Sequence, residues 1–373
     1  MKRTIYATAL AGVAALTLAA CGDAPEETEE PGGDTTSAEQ TDDTGNGDDA
    51  ASDFLACLIS DQGGWDDQSF NQSAMEGAKR AEAELGIQLN DAESQSDADF
   101  GPNVDSMVQQ GCNITIGVGY LLEDPIQAAA EANPDLAFGL VDATFSEGDP
   151  PEPVEIDNAK PIIFNTAEAA YLAGYLAAGM TETGTVATFG GLPIPSVSIF
   201  MDGFVDGVAK YNEDNGADVT VLGWDKEAQD GTFSGGFEDQ GQGQALTNEF
   251  IAQGADIIMP VAGPVGLGAA AAAENAGDVW IVGVDSDWTE STDYGDIVMA
   301  SVVKEIGAGV FATIEEALAG NFTGEPYIGD LENGGVSLAL GSAEVPQELQ
   351  DQIQALQDQI ISGEITVDTP NAP

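Results

Sequence analysis

At 373 residues the chain is long enough for two domains of ordinary size, each with its own core. It carries 66 acidic residues against 8 basic ones and no histidine, a formal net charge of −58. Such a field repels nucleic acid and anionic membrane surfaces, and the missing imidazole removes serine–histidine triads and histidine-based zinc sites.

Taken from the start, Lys2 and Arg3 precede an apolar run over residues 5–20 that ends in Leu18-Ala19-Ala20-Cys21-Gly22. The run is too short for a comfortable membrane span and has the layout of a bacterial lipoprotein signal, residues 1–20, with Cys21 as the lipidated residue. The mature chain is then expected on the extracytoplasmic face of the cell membrane, held there by two or three acyl chains, since one alone anchors only marginally. Cleavage removes Lys2 and Arg3 and no acid, leaving six basic residues against 66 acidic ones. The acids run through the whole sequence, so a high-salt habitat accounts for them better than a local patch for cationic partners. Residues 21–51, rich in Asp, Glu, Thr, Gly and Ser, read as an acidic disordered tether.

From residue 53 onward, strand and helix signals alternate. Residues 54–59 form a short continuous apolar run, as in a parallel strand covered on both faces, and a polar loop follows. Ala74, Ala78, Ala81 and Leu85 then recur at helical spacing. Strands are expected at 87–89, 114–119 and 136–142, with helices over 102–110 and 124–132 between them. After 161–165 and a small-residue helix over 167–180, a second βα series begins. It places strands at 186–191, 219–224, 257–261 and 279–285, and helices at 200–212, 243–253 and 266–275. The apolar run 297–303 and the helix 306–319 are expected to return to the first sheet, and an amphipathic helix over 346–361 closes the chain.

Ligands of open α/β sheets bind at the carboxyl ends of the strands. Asp61, Asp142 and Asp285 each end an apolar strand there, and the loop after the first strand adds Asp67, Phe70 and Asn71. Paired acids of this kind can serve a glycosidase; a plain acidic surface is the bland reading. A carboxylate also accepts a hydrogen bond from each hydroxyl of a vicinal diol, which suits sugars and ribosides. Gly63-Gly64 and Gly190-Gly191 lack the spacing and companions of a phosphate loop and read as turn glycines. Cys57 and Cys112 belong to runs that can be neighbouring strands, as a disulfide or as a pair of buried thiols. No cofactor is called for.

The stretch Asp61-Gln62-Gly63-Gly64-Trp65-Asp66-Asp67-Gln68-Ser69-Phe70-Asn71-Gln72-Ser73 closely resembles the signature of the basic membrane protein family of substrate-binding lipoproteins, whose best-understood members are purine nucleoside receptors of the PnrA type. Further agreement follows in order, in Glu168 to Gly174, Gly190-Gly191, Ala262-Gly263-Pro264-Val265-Gly266, Gly283-Val284-Asp285-Ser286-Asp287 and Ser301-Val302-Val303-Lys304, so that the resemblance covers residues 53 to about 340. It implies a type I periplasmic-binding-protein fold, two Rossmann-like lobes joined by a multi-strand hinge. The lobes would be residues 52–164 with about 296–320, and residues 165–295 with about 321–345, followed by a helix and tail over 346–373. It also implies a nucleoside ligand passed to the permease and ATPase subunits of an ABC importer, with no enzymatic step. The purine would lie between two phenyl rings, Phe70 and, from a segment longer than the family's usual pattern, Phe237 or else Phe233. Asp61 and Asn71 would meet the base or ribose, with Asp67 and Asp142 nearby, Asp285 from the second lobe and Lys304 from the returning strand. Trp288 departs from the family's frequent Gln. A sugar or signal-molecule receptor on the same fold is the nearest alternative, and an exported hydrolase using paired acids the alternative of another class.

Overall fold

The computed structural model describes residues 51–148 and 150–373; the expected signal, Cys21 and nearly all of the tether lie outside them. In chain order the strands are β1 (Leu55–Ser60), β2 (Gln88–Glu93), β3 (Ile114–Val118), β4 (Ala137–Val141), β5 (Phe145–Glu147), β6 (Glu152–Val154), β7 (Ala159–Phe164), β8 (Thr185–Gly190), β9 (Thr220–Leu222), β10 (Trp224–Asp225), β11 (Asp230–Gly231), β12 (Ile257–Val261), β13 (Trp280–Asp285), β14 (Val298–Lys304), β15 (Tyr327–Gly329) and β16 (Val336–Leu340). Twelve of them build two six-stranded sheets, ordered β15-β7-β4-β3-β1-β2 and β16-β14-β13-β12-β8-β9, while β5 with β6 and β10 with β11 form two-stranded antiparallel ribbons. The first is parallel throughout; the second is parallel except for β16. The central strands are fully buried, which explains their unbroken apolar runs: with helices on both faces there is no solvent side to alternate toward.

The run at 297–303 does not return to the first sheet. As β14 it pairs with β13 in parallel and with β16 antiparallel, in the second sheet. Residues 286–297 are long enough for the crossover that two adjacent parallel strands need, and Trp288, fully buried, packs inside that connection. What returns to the first sheet is the next helix, Ile306–Leu318, where Arg80 of helix Phe70–Leu85 stacks 4.1 Å from the Phe311 ring centroid. Then β15, expected with the second lobe, joins β7 of the first sheet. The backbone therefore passes between the sheets three times, through 165–184, 305–326 and 330–335.

Helix Thr166–Met180, apolar all round, is buried along nearly its whole length. It lies against helix Pro195–Asn215 almost backbone to backbone: a methyl group on Gly207 would sit 1.9 Å from the Tyr171 carbonyl oxygen. Gly207→Ala is expected to push the helices apart at a cost of roughly 1–3 kcal/mol. Urea denaturation reads this directly, and an unshifted midpoint would show that the contact yields without cost. Cys57 of β1 and Cys112, just before the adjacent β3, are joined in a disulfide with their Cα atoms 6.0 Å apart. Among the described residues no helix is long and apolar enough to cross a membrane.

Candidate functional site

The carboxyl ends of β1, β3 and β4 from one sheet and of β12, β13 and β14 from the other, with the start of helix Pro195–Asn215, border a solvent-open cavity. Asp61, Asp67, Phe70, Asn71, Asp142, Phe237, Asp285 and Lys304 all line it. Asp61, Asp142, Asp285 and Lys304, far apart in sequence, meet because each follows or ends a strand whose neighbours are fixed by one of the two sheets; Phe70 and Asn71 come from the start of the helix after β1, and Phe237 from the loop before helix Gln240–Ala252.

Lys304, the last residue of β14, is 2 % exposed. Its Nζ pairs with Asp142 Oδ2 at 2.6 Å and Asp285 Oδ1 at 3.1 Å. It also lies 4.7, 5.3 and 5.8 Å from the ring centroids of Phe70, Phe200 and Phe164. Burial alone would pull the ammonium pKa down; the two carboxylates outweigh it and leave it raised, so Lys304 stays charged. Asp142 follows the last residue of β4, and Asp285 ends β13. Both hold left-handed backbone conformations, φ 66° and 67°. A non-glycine residue adopts that region at a cost and mainly where its surroundings impose it. The same turn recurs at the corresponding strand end of each sheet and delivers each carboxylate to one lysine.

Asp61, one residue past β1, is buried, and burial raises its carboxyl pKa well above the ordinary value against the backbone N–H groups of Gln62 and Leu121; Asp142 and Asp67 add to the rise. Its carboxylate rests on Gly119, φ 115°, where a methyl group would lie 1.9 Å from Asp61 Oδ2; only glycine fits. Asp67 has a different occupation. Its Oδ1 accepts from the backbone N–H of Ser69 (3.0 Å) and Gln72 (2.9 Å), and its Oδ2 from that of Asn71 (2.8 Å), so it caps helix Phe70–Leu85 and fixes Phe70 and Asn71 at the cavity wall. Asn71 donates through Nδ2 to the Gln62 carbonyl at 2.9 Å, while its buried Oδ1 has no protein partner and remains an acceptor for a ligand N–H or O–H.

Burial raises the Asp67 pKa from 3.8 to about 6, against those three N–H donors. A carboxyl whose folded pKa exceeds its unfolded value stabilises the fold below both values, and that contribution is lost as pH rises through the folded one. The wild type is therefore expected to gain stability relative to Asp67→Asn as pH falls from 6.5 to 4, by up to roughly 3 kcal/mol. Paired denaturation curves across that range test it; a pH-independent difference would contradict it.

Two serine hydroxyls tie the loop after β1 to the end of β13. Ser69 Oγ donates to the Val284 carbonyl (3.1 Å) and Asp285 Oδ2 (3.2 Å), and Ser286 Oγ donates to the Gln68 carbonyl (3.2 Å). Phe237 packs so closely against Gly191 that a methyl group there would overlap its ring at 2.2 Å. Phe233 is instead packed edge-on against Trp224, with centroids 6.0 Å apart, and does not line the cavity. Sequence reasoning missed Phe200, Tyr120, Ser196 and Gly119 as wall residues. Phe200 follows Gly190-Gly191 among the stretches that resemble the family, but on an apolar helix face it reads as core rather than as wall.

The fold is the type I periplasmic-binding fold. It is shared with ABC transporter solute-binding proteins from Aeropyrum pernix K1 (TM-score 0.73, 24% identity, covering 85% of this chain and 94% of that one) and Conexibacter woesei DSM 14684 (TM-score 0.64, 21% identity, covering 86% and 100%). Residues 55–370 match the family described as ABC transporter substrate-binding protein, PnrA-like, and the chain belongs to that family. The ABC transporter nucleoside-binding protein BmpA of Lactococcus lactis subsp. cremoris (strain MG1363) is 30% identical over 334 residues, 84% of this chain and 89% of that protein. Basic membrane protein A2 of Borrelia garinii subsp. bavariensis is 29% identical over 308 residues, 82% and 86%.

Proposed function

We propose that the protein captures a nucleoside, a purine nucleoside first, and passes it to the permease and ATPase of an ABC importer without making or breaking a bond. Cys21 would hold it by lipid to the extracytoplasmic face of the cell membrane. The observation that carries the reading is the wall chemistry of one cavity: Phe70 from the first half and Phe237 from the second, beside the unpartnered Asn71 Oδ1 and the strand-end carboxylates. Aromatic faces take any base, whereas a buried acceptor without a partner selects for a donor on the ligand. The name of the Lactococcus relative agrees with this choice of ligand. The Ser69 and Ser286 bonds support capture by closure, because they join the two halves and would have to part for a ligand to enter.

Calorimetry with adenosine, guanosine, inosine, cytidine and ribose in molar salt tests this. A nucleoside is expected to bind tightly and remain intact. Ribose binding without nucleoside binding would favour a sugar receptor, and product accumulating with time a hydrolase. Phe70→Ala and Phe237→Ala are each expected to weaken nucleoside binding by roughly 1–3 kcal/mol per lost stacking face. Phe233→Ala should leave affinity unchanged and lower stability, through its contact with Trp224; the opposite pattern would exchange the two assignments.

A further inference from the structure

A second, solvent-open chamber opens from the same polar wall: Tyr120, Asp142, Ser196 and Lys304 border both it and the cavity above. Thr144 and Thr166 add hydroxyls, and residues 370–373 of the carboxyl-terminal tail form part of its lining. That tail is fixed in place. Asp202, with no exposed surface, accepts from Thr369 Oγ1 (2.5 Å) and Asn371 Nδ2 (2.8 Å) through Oδ2, and from Trp224 Nε1 (2.8 Å) and Gln229 Nε2 (2.9 Å) through Oδ1. Thr166 is 1 % exposed, yet its Oγ1 has no protein partner. A buried hydroxyl left unpaired is costly unless something other than protein satisfies it.

We propose that this chamber is a subsite for a neutral, hydroxyl-bearing group adjoining the nucleoside, bound through Thr166 Oγ1. The proposal rests on the nucleoside reading. An anionic group is disfavoured because Lys304, the one cation among the described lining residues, is already shared by two carboxylates. A large apolar group would leave the threonine hydroxyl unpaired. The group can be carried on the ligand's own sugar or arrive as a separate small polyol.

The probes are adenosine, adenosine bearing an uncharged glucosyl group on its 5′ oxygen, and free glycerol or ribose added to adenosine-saturated protein. Each is titrated into the wild type and into Thr166→Val, whose shape is conserved and which removes an unpaired hydroxyl, so its thermal midpoint should not fall. The glucosylated ligand is expected to bind at least as well as adenosine. Thr166→Val should weaken it by roughly three- to tenfold, the worth of one hydrogen bond, and leave adenosine unchanged. Heat from the free polyol that Thr166→Val abolishes would support the subsite with a separate molecule as its occupant. Adenosine binding with rejection of the glucosylated form and no polyol heat overturns the proposal. Equal response of wild type and Thr166→Val to every probe overturns it too. If adenosine itself does not bind, the nucleoside reading has failed, and the subsite reading falls with it.

Discussion

Replacing Lys304 with methionine is expected to abolish most nucleoside binding, a loss of at least roughly 100-fold, and to lower stability by roughly 3–5 kcal/mol. Both effects arise from the same geometry. The ammonium is 2 % exposed and pairs with Asp142 and Asp285, and neither carboxylate is more than about a tenth exposed. Without it, two largely buried acids are left beside each other with no counter-charge, and one must take up a proton or the halves must loosen. Removing one partner of a buried ion pair is costly mainly for the charge it strands. The double variant Lys304→Met/Asp142→Asn is therefore expected to recover part of the stability and none of the affinity. Urea denaturation and calorimetry on the same preparations separate the two. If the single variant binds within about threefold of wild type, Lys304 is a structural clamp and not a ligand group.

The sequence already contained most of this site, because its parts are tied to strand ends. An apolar run that stops at an aspartate has placed that carboxylate at the edge of a parallel sheet whatever its neighbours, so Asp61, Asp142 and Asp285 could be named before any strand order was known. Lys304 stood out by scarcity. Sheet membership was harder: β14 is apolar and would be equally content in either sheet, and its place depends on a short connection packed around Trp288 rather than on its own side chains. The roles within the loop after β1 were also hidden. Asp67 looks like one more cavity acid, yet three backbone N–H groups claim it, and which carboxylates are spent on capping depends on the folded loop. The Asp202 anchor joins residues 167 and 169 positions apart, and nothing local in either segment announces it.

Salt is expected to change this protein's stability more than any single substitution away from the site. The formal charge of −58 is spread over the chain, and of the cations among the described residues Lys304 and Lys160 are buried in ion pairs, leaving few to offset the surface acids. Repulsion among exposed charges acts over a screening length of about 10 Å at 0.1 M salt and about 3 Å at 1 M. Folding packs the acids closer than the unfolded chain does, so screening favours the folded state. Between 0.1 M and 2 M KCl the unfolding free energy should rise by several kcal/mol, which for a chain of this size is a midpoint increase of roughly 5–8 °C. Sucrose serves as the control, since an excluded neutral solute stabilises compact states without screening. Exchanging a few exposed acids for lysine should reduce the salt needed to reach a given midpoint and leave the effect of sucrose unchanged. If KCl and sucrose act alike, and the lysine variants behave as wild type, solute exclusion governs the response and charge repulsion does not.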